Sequence, residues 1–165
     1  MIETVFWLSE TSSELSHLKN LLSQGQLEIL MAGDDSSTRL SAIQKIVCGQ
    51  GQIQNAGADC RDILIFTHDH QHICGLLHAR KVFEHVELDY IIVRSLNRGS
   101  GIATDLMNKF ISYSQEVFCT NILLEVSSLN ESAVNLYKKF NFEQIRVRKA
   151  YYKNGSDALI MERKL

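Results

Sequence analysis

The order of apolar and polar positions divides the chain into a helical first part and a strand-rich remainder. Residues 4–8 read as a short strand. Ser12 or Ser13 then caps a helix whose Leu15, Leu18, Leu21 and Leu22 fall on one face, ending near Gln24-Gly25. A short apolar run at 27–31 leads into Gly33-Asp34-Asp35-Ser36-Ser37, a capping loop for a second helix carrying Leu40, Ile43, Ile46 and Val47. Residues 49–59 are rich in Gly, Gln and Asn and predict a loop. From Asp62 the period changes to that of strands, at 63–66, 72–78 and 83–93. Short connections at 69–71 and around Arg80-Lys81 predict an antiparallel meander.

The second half alternates strand and helix. Ile102, Leu106, Phe110, Tyr113 and Val117 recur at three- and four-residue steps and predict an amphipathic helix. Residues 121–126 predict a strand in which Glu125 stands among apolar neighbours. Asn130 is a capping residue for a helix with Ala133, Val134, Tyr137 and Phe140 along one stripe. Asn141 suits the left-handed position at that helix's end. Strands at 142–152 and 158–164 follow, joined by a turn at Asn154-Gly155-Ser156.

Between the apolar run Tyr90-Ile91-Ile92-Val93 and the first of these helices lies Arg98-Gly99-Ser100-Gly101-Ile102-Ala103. A strand, a glycine-rich turn and a helix form a phosphate-binding shape. The first N–H groups of the helix have no internal partner and lie at its positive end. Glycines remove the Cβ atoms that would keep a ligand away. The turn lacks the G-x-G-x-x-G dinucleotide fingerprint and the Lys-Ser/Thr pair of a P-loop.

Composition narrows the class. With 165 residues, 45% hydrophobic and 22% charged, the chain is expected to be one globular domain over residues 1–165. A net charge of −2 gives no general attraction to nucleic acid or an anionic membrane. No apolar run approaches the ~18 residues of a membrane span, and a cytoplasmic location is expected. Cys48, Cys60, Cys74 and Cys119 have no C-x-x-C spacing, so isolated buried thiols are expected. His68, His70 and His72 alternate, but they straddle the expected hairpin turn and predict a solvated polar turn rather than a metal site.

Residues 90–165, a little under half the chain, resemble the C-terminal half of GNAT-type N-acetyltransferases, with the RimI branch the most similar. The match is carried by Arg98-x-x-Gly101-x-Ala103, Leu124-Glu125-Val126, Asn130, Ala133-Val134, Leu136-Tyr137, Phe142, Arg148, Tyr151-Tyr152 and the closing run 158–161. The resemblance implies an α/β (α+β) fold. Its mixed, mostly antiparallel sheet of six to seven strands is flanked by about four helices and splayed between the fourth and fifth strands. It implies acetyl-CoA as co-substrate, no metal, and a cofactor-binding core over about 88–140. Arg98, Gly99, Ser100, Gly101, Ile102, Ala103 and Thr104 would hold the pyrophosphate, and Ile91, Ile92 and Val93 the pantetheine arm and acetyl carbonyl. Asn130 would also bind the cofactor. Glu125 would be the general base, Tyr137 the general acid and a cofactor contact, and Tyr151 and Tyr152 the lining of the acceptor groove. The implied acceptor is a protein N-terminal α-amine, in the RimI branch that of a ribosomal protein. A small amine, a lysine side chain, or an inactive acyl-CoA-binding regulator are the alternatives. Ser127 stands where the RimI pattern has Arg, Asn141 replaces a Gly, and residues 1–61 lack that branch's Phe-Pro-Trp-Ser-like segment.

Overall fold

A computed structural model of the chain describes residues 3–7, 20, 60–69 and 71–165. The two helices expected before residue 50, and His70, lie outside the described residues. The described elements are β1 (Glu3–Trp7), β2 (Cys60–His68), β3 (Ile73–Val82), β4 (His85–Val93), a 3-10 turn at Ser95–Asn97, α1 (Ile102–Glu116), β5 (Asn121–Ser127), α2 (Glu131–Lys139), β6 (Glu143–Arg148) and β7 (Ala158–Lys164). They form one seven-stranded sheet in the order β1-β2-β3-β4-β5-β7-β6. Every neighbouring pair is antiparallel except β4 and β5. This is the mixed sheet that the resemblance implied.

The helices lie where their apolar stripes require. On α1, Ile102, Leu106, Met107, Phe110 and Ile111 are buried. They join Ile65, Leu77, Ala79, Leu88, Ile122 and Leu124 in the main core. Burying each such side chain stabilises the fold by about 1.5–3 kcal/mol. Gly75 on β3 lets α1 approach, since a Cβ there would stand 2.7 Å from Ile102 and 3.1 Å from Leu106. On α2, Val134 and Tyr137 are buried. Asn141 is left-handed at φ 59°, and the N–H of Phe142 returns to the Tyr137 carbonyl at 3.1 Å, closing the helix end.

Two expected boundaries are corrected. The β3–β4 turn lies at Phe83 and Glu84, not around Arg80-Lys81. Arg80 stays in the strand because its guanidinium crosses to β4, reaching Asp89 at 2.8 Å and Glu87 at 2.9 Å. The strand expected over 142–152 ends at Arg148. Asp157 captures the next segment by accepting from the Ala150 N–H at 2.9 Å and the Lys149 ammonium at 2.8 Å.

The parallel β4–β5 pair also sets the geometry of the site. Its ladder runs from His85↔Asn121 to Leu88↔Leu124 and stops. At that point β4 carries an extra residue: Leu88 faces Ala79 and Tyr90 faces His78, leaving Asp89 between them. A bulge of this kind bends and twists its strand. Residues 89–93 therefore continue along β3 while parting from β5.

Candidate active site

The opening between β4 and β5 is bordered on one side by Ile91, Ile92 and Val93, all partly exposed. On the other side stand Glu125 and the start of α2. The bulge that creates the opening is fixed by Asp89, whose carboxylate meets His78 at 3.1 Å and Arg80 through two 2.8 Å bonds. Burial pushes this carboxyl up, but His78 and Arg80 outweigh it and hold it at about 2. Sequence reasoning missed this anchor; its signal is an Arg and an Asp nine residues apart across a hairpin.

The glycine turn stands at the mouth of the opening. Gly99 and Gly101 adopt φ 77° and 91°, and a Cβ at either would find nothing within 4 Å. The left-handed backbone requires glycine here, and the surface above it is clear. Gly101 is the N-cap of α1 and provides no side-chain cap. The first N–H groups of Ile102, Ala103 and Thr104 are left without intrahelical acceptors, which suits an anion. The exposed Ser100 folds back on the turn, its hydroxyl donating to the Asn97 carbonyl at 2.6 Å. Arg98 reaches the Val93 carbonyl at 3.3 Å and ties the turn to the end of β4.

Asn130 caps α2. Its side-chain oxygen accepts from the Ala133 N–H at 3.2 Å and the Ser132 hydroxyl at 3.1 Å. The cap uses the oxygen and leaves the amide N–H₂ as the group suited to a cofactor.

Tyr137, about two α2 turns further on, is buried and packs on Phe142 with ring centroids 5.8 Å apart. Burial, with the nearby Tyr152 adding to it, pushes its phenol up to about 12. The phenol is therefore protonated throughout the neutral range.

Glu125 lies on the face of β5 opposite Leu124 and Val126. One carboxylate oxygen accepts from the Arg148 guanidinium at 2.9 Å. Arg148 in turn covers the Tyr151 ring, 5.4 Å from its centroid. Tyr151 and Tyr152 meet edge to face at 5.2 Å. The structure thus links Glu125, Arg148, Tyr151, Tyr152 and Tyr137 in one neighbourhood. Sequence reasoning placed these residues but did not foresee that Arg148 closes on Glu125.

The loop carrying the two tyrosines is braced. The Ser127 and Ser156 hydroxyls are 3.1 Å apart, and Ser156 bonds to Asn154. Asp157 holds Lys149 and Ala150, which together keep its carboxyl below the usual carboxylate range. Ser127 therefore has a structural use at the position where the RimI pattern has Arg.

The expected solvated histidine turn is corrected in part. His68 is the last residue of β2 and is buried, because it closes the β2–β3 pairing opposite Ile73. His72 lies 3.4 Å from Asp69, whose carboxylate also accepts from the Gln71 and His72 N–H groups. Among the described residues no group of three His, Cys, Asp or Glu side chains is placed to hold a metal, and no helix is long and apolar enough to cross a membrane.

Residues 41–142 match the model of the acetyltransferase (GNAT) family. The chain belongs to this family. It is 34% identical over 87 residues to human N-alpha-acetyltransferase 30, a match covering 53% of this chain and 24% of that protein. It is 41% identical over 69 residues to an N-alpha-acetyltransferase of Saccharolobus solfataricus, covering 41% of each. The chain therefore spans less than half the length of these relatives. The fold is also that of the ribosomal-protein-S18-alanine N-acetyltransferase from Escherichia coli. The TM-score is 0.67 at 18% identity, over 98% of this chain and 94% of that one. Family membership agrees with the splayed sheet and with the glycine turn at the head of α1.

Proposed function

We propose that this GNAT protein transfers the acetyl group of acetyl-CoA to a protein N-terminal α-amine. The observation that carries the reading is the parting of β4 from β5 at Asp89, on the strand that leads into the uncapped N-terminus of α1. A thioester arm can enter such an opening as an extended segment while its phosphates meet the turn from Gly99 to Thr104. The α-amine acceptor is supported by the N-alpha-acetyltransferase relatives and by the Tyr151-Tyr152 loop beside Glu125.

The mechanism follows from the residues at the opening. Pantetheine pairs with the free edge of residues 91–93, and backbone N–H groups there steady the acetyl carbonyl. Such donors are worth most as the oxyanion forms. An α-amine has a pKa near 8 and arrives mostly protonated. Glu125 accepts its proton, and the free amine attacks the thioester carbon. The tetrahedral intermediate then expels the CoA thiolate, Tyr137 donates its proton to the sulfur, and the proton remaining on the new amide nitrogen restores the Tyr137 phenol. A phenol at about 12 is a weak acid toward an ordinary thiol near 8.5. A thiolate desolvated beside the buried Tyr137 has its own proton affinity raised, which narrows that gap.

The test is an acetylation assay against N-terminal peptides, α-blocked lysine peptides and polyamines. The reading predicts turnover on the free N-termini and far less on the others. Turnover confined to polyamines or lysine side chains overturns the α-amine assignment.

A further inference from the structure

We infer that the acceptor is selected for an acidic side chain close behind its α-amine, and that Arg148 and Arg146 read it. This rests on the α-amine reading above and adds the acceptor's chemical class.

Three observations converge. Glu125 and Arg146 both face Ile160 in the sheet register, and Arg148 is two residues along from Arg146. Directly opposed residues share a face, so both guanidiniums lie on the side that carries Glu125. Both are exposed. Next, the charges on this face are unevenly spread, with Glu143 and Glu162 toward the end of the strands away from Ala158. Glu125 holds Arg148 alone, and the neighbouring Lys149 is taken by Asp157. In the rows through Ile160 and Ala158 two arginines stand against the one carboxylate of Glu125, a local surplus of positive charge beside the proposed base. Last, Arg148 bridges the two halves of the site, with one nitrogen on Glu125 at 2.9 Å and its plane over Tyr151.

The geometry sets where an acceptor's own carboxylate would fall. An amine in hydrogen-bond reach of Glu125 lies roughly 6 Å from the Arg148 guanidinium, about two residues of extended chain. An Asp or Glu at the second or third position therefore arrives at Arg148. Its carboxylate takes the guanidinium in a two-pronged pair, with Arg146 adding to the field. Glu125 is released from Arg148 and turns to the amine. A half-exposed ion pair such as Glu125–Arg148 holds weakly, so the exchange is open to an incoming acid. A neutral acceptor offers no substitute partner, and a basic one is repelled.

The experiment uses the full chain, acetyl-CoA and three peptides that differ only at the second and third residues: Glu-Glu, Gln-Gln and Lys-Lys. The expected kcat/KM falls in that order, by about tenfold from Glu-Glu to Gln-Gln and mainly through KM. In the Arg146→Gln/Arg148→Gln double variant the Glu-Glu to Gln-Gln ratio falls to near one. In Arg148→Glu the order inverts toward Lys-Lys. Equal kcat/KM for the three peptides in the native chain overturns this inference and leaves the α-amine reading intact. So does a native-like ratio in variants that still bind acetyl-CoA. Failure to acetylate any peptide, with polyamines or lysine side chains acetylated instead, overturns both.

Discussion

Two side chains divide the proton traffic of the proposed reaction, and their surroundings explain how. Tyr137 is shut into the core beside Phe142, and burial keeps its phenol protonated up to about 12. Tyr137→Phe removes only the donor and preserves the packed ring. It is expected to lower kcat by roughly 10²-fold, the lower range for a lost general acid, with KM for acetyl-CoA changed less than about threefold. Steady-state kinetics check this; an unchanged kcat removes Tyr137 from the proton path. Glu125 is different, a half-exposed carboxylate that already has a cationic partner. Glu125→Gln is expected to lose rate most at low pH, where the α-amine is most protonated, and to approach the native rate above about pH 8. A pH–rate profile measures this. Parallel profiles for the two proteins leave Glu125 as no more than an ion-pair partner for Arg148.

At the scale of elements the decisive feature is the bulge in β4. Asp89 has no place in the regular ladder, and the His78 and Arg80 pairings hold it there. Its carboxyl is depressed from 3.8 to about 2. A depressed acid contributes stability that is present above its unfolded value and is lost as the pH falls through its folded value. Asp89 thus stabilises the fold above pH 4 by about 1–2 kcal/mol after allowance for partial exposure, and this is lost between about pH 4 and 2. Asp89→Asn is expected to flatten the stability curve across that window, as read by denaturant unfolding at a series of pH values. A slope equal to that of the native chain contradicts the assignment. The approach of α1 to the sheet depends on Gly75 in the same way. Gly75→Ala forces a methyl against Ile102 and Leu106 and is expected to destabilise by about 1–3 kcal/mol. It also shifts the start of α1, so KM for acetyl-CoA rises. Thermal unfolding and acetyl-CoA kinetics together test this, and a neutral substitution would mean that α1 packs less closely.

Across the molecule, what could be read from the sequence was what is local or periodic. The stripe from Ile102 to Phe110 names the buried face of α1, the Asn130 cap forms as its residue type requires, and Asn141 takes the left-handed turn. The splay between the fourth and fifth strands was legible only through the family resemblance, because a bulge leaves no period in the sequence. Other features depend on partners far along the chain. The reach of Arg80 to Asp89 keeps β3 going to Val82. The Asp157 brace ends β6 at Arg148, on a strand too exposed to show any alternation. The closure of Arg148 on Glu125 spans 23 residues and could not be seen from either residue alone. The candidate site thus joins a readable glycine turn to a Glu125–Arg148 side assembled by long-range pairs. The direct test of the whole account uses one peptide with both a free α-amine and an internal lysine, incubated with acetyl-CoA and the protein, with fragment mass spectrometry locating the product. The account predicts a single acetyl group on the α-amine and an untouched lysine. Acetyl found on the lysine with the α-amine still free would contradict it.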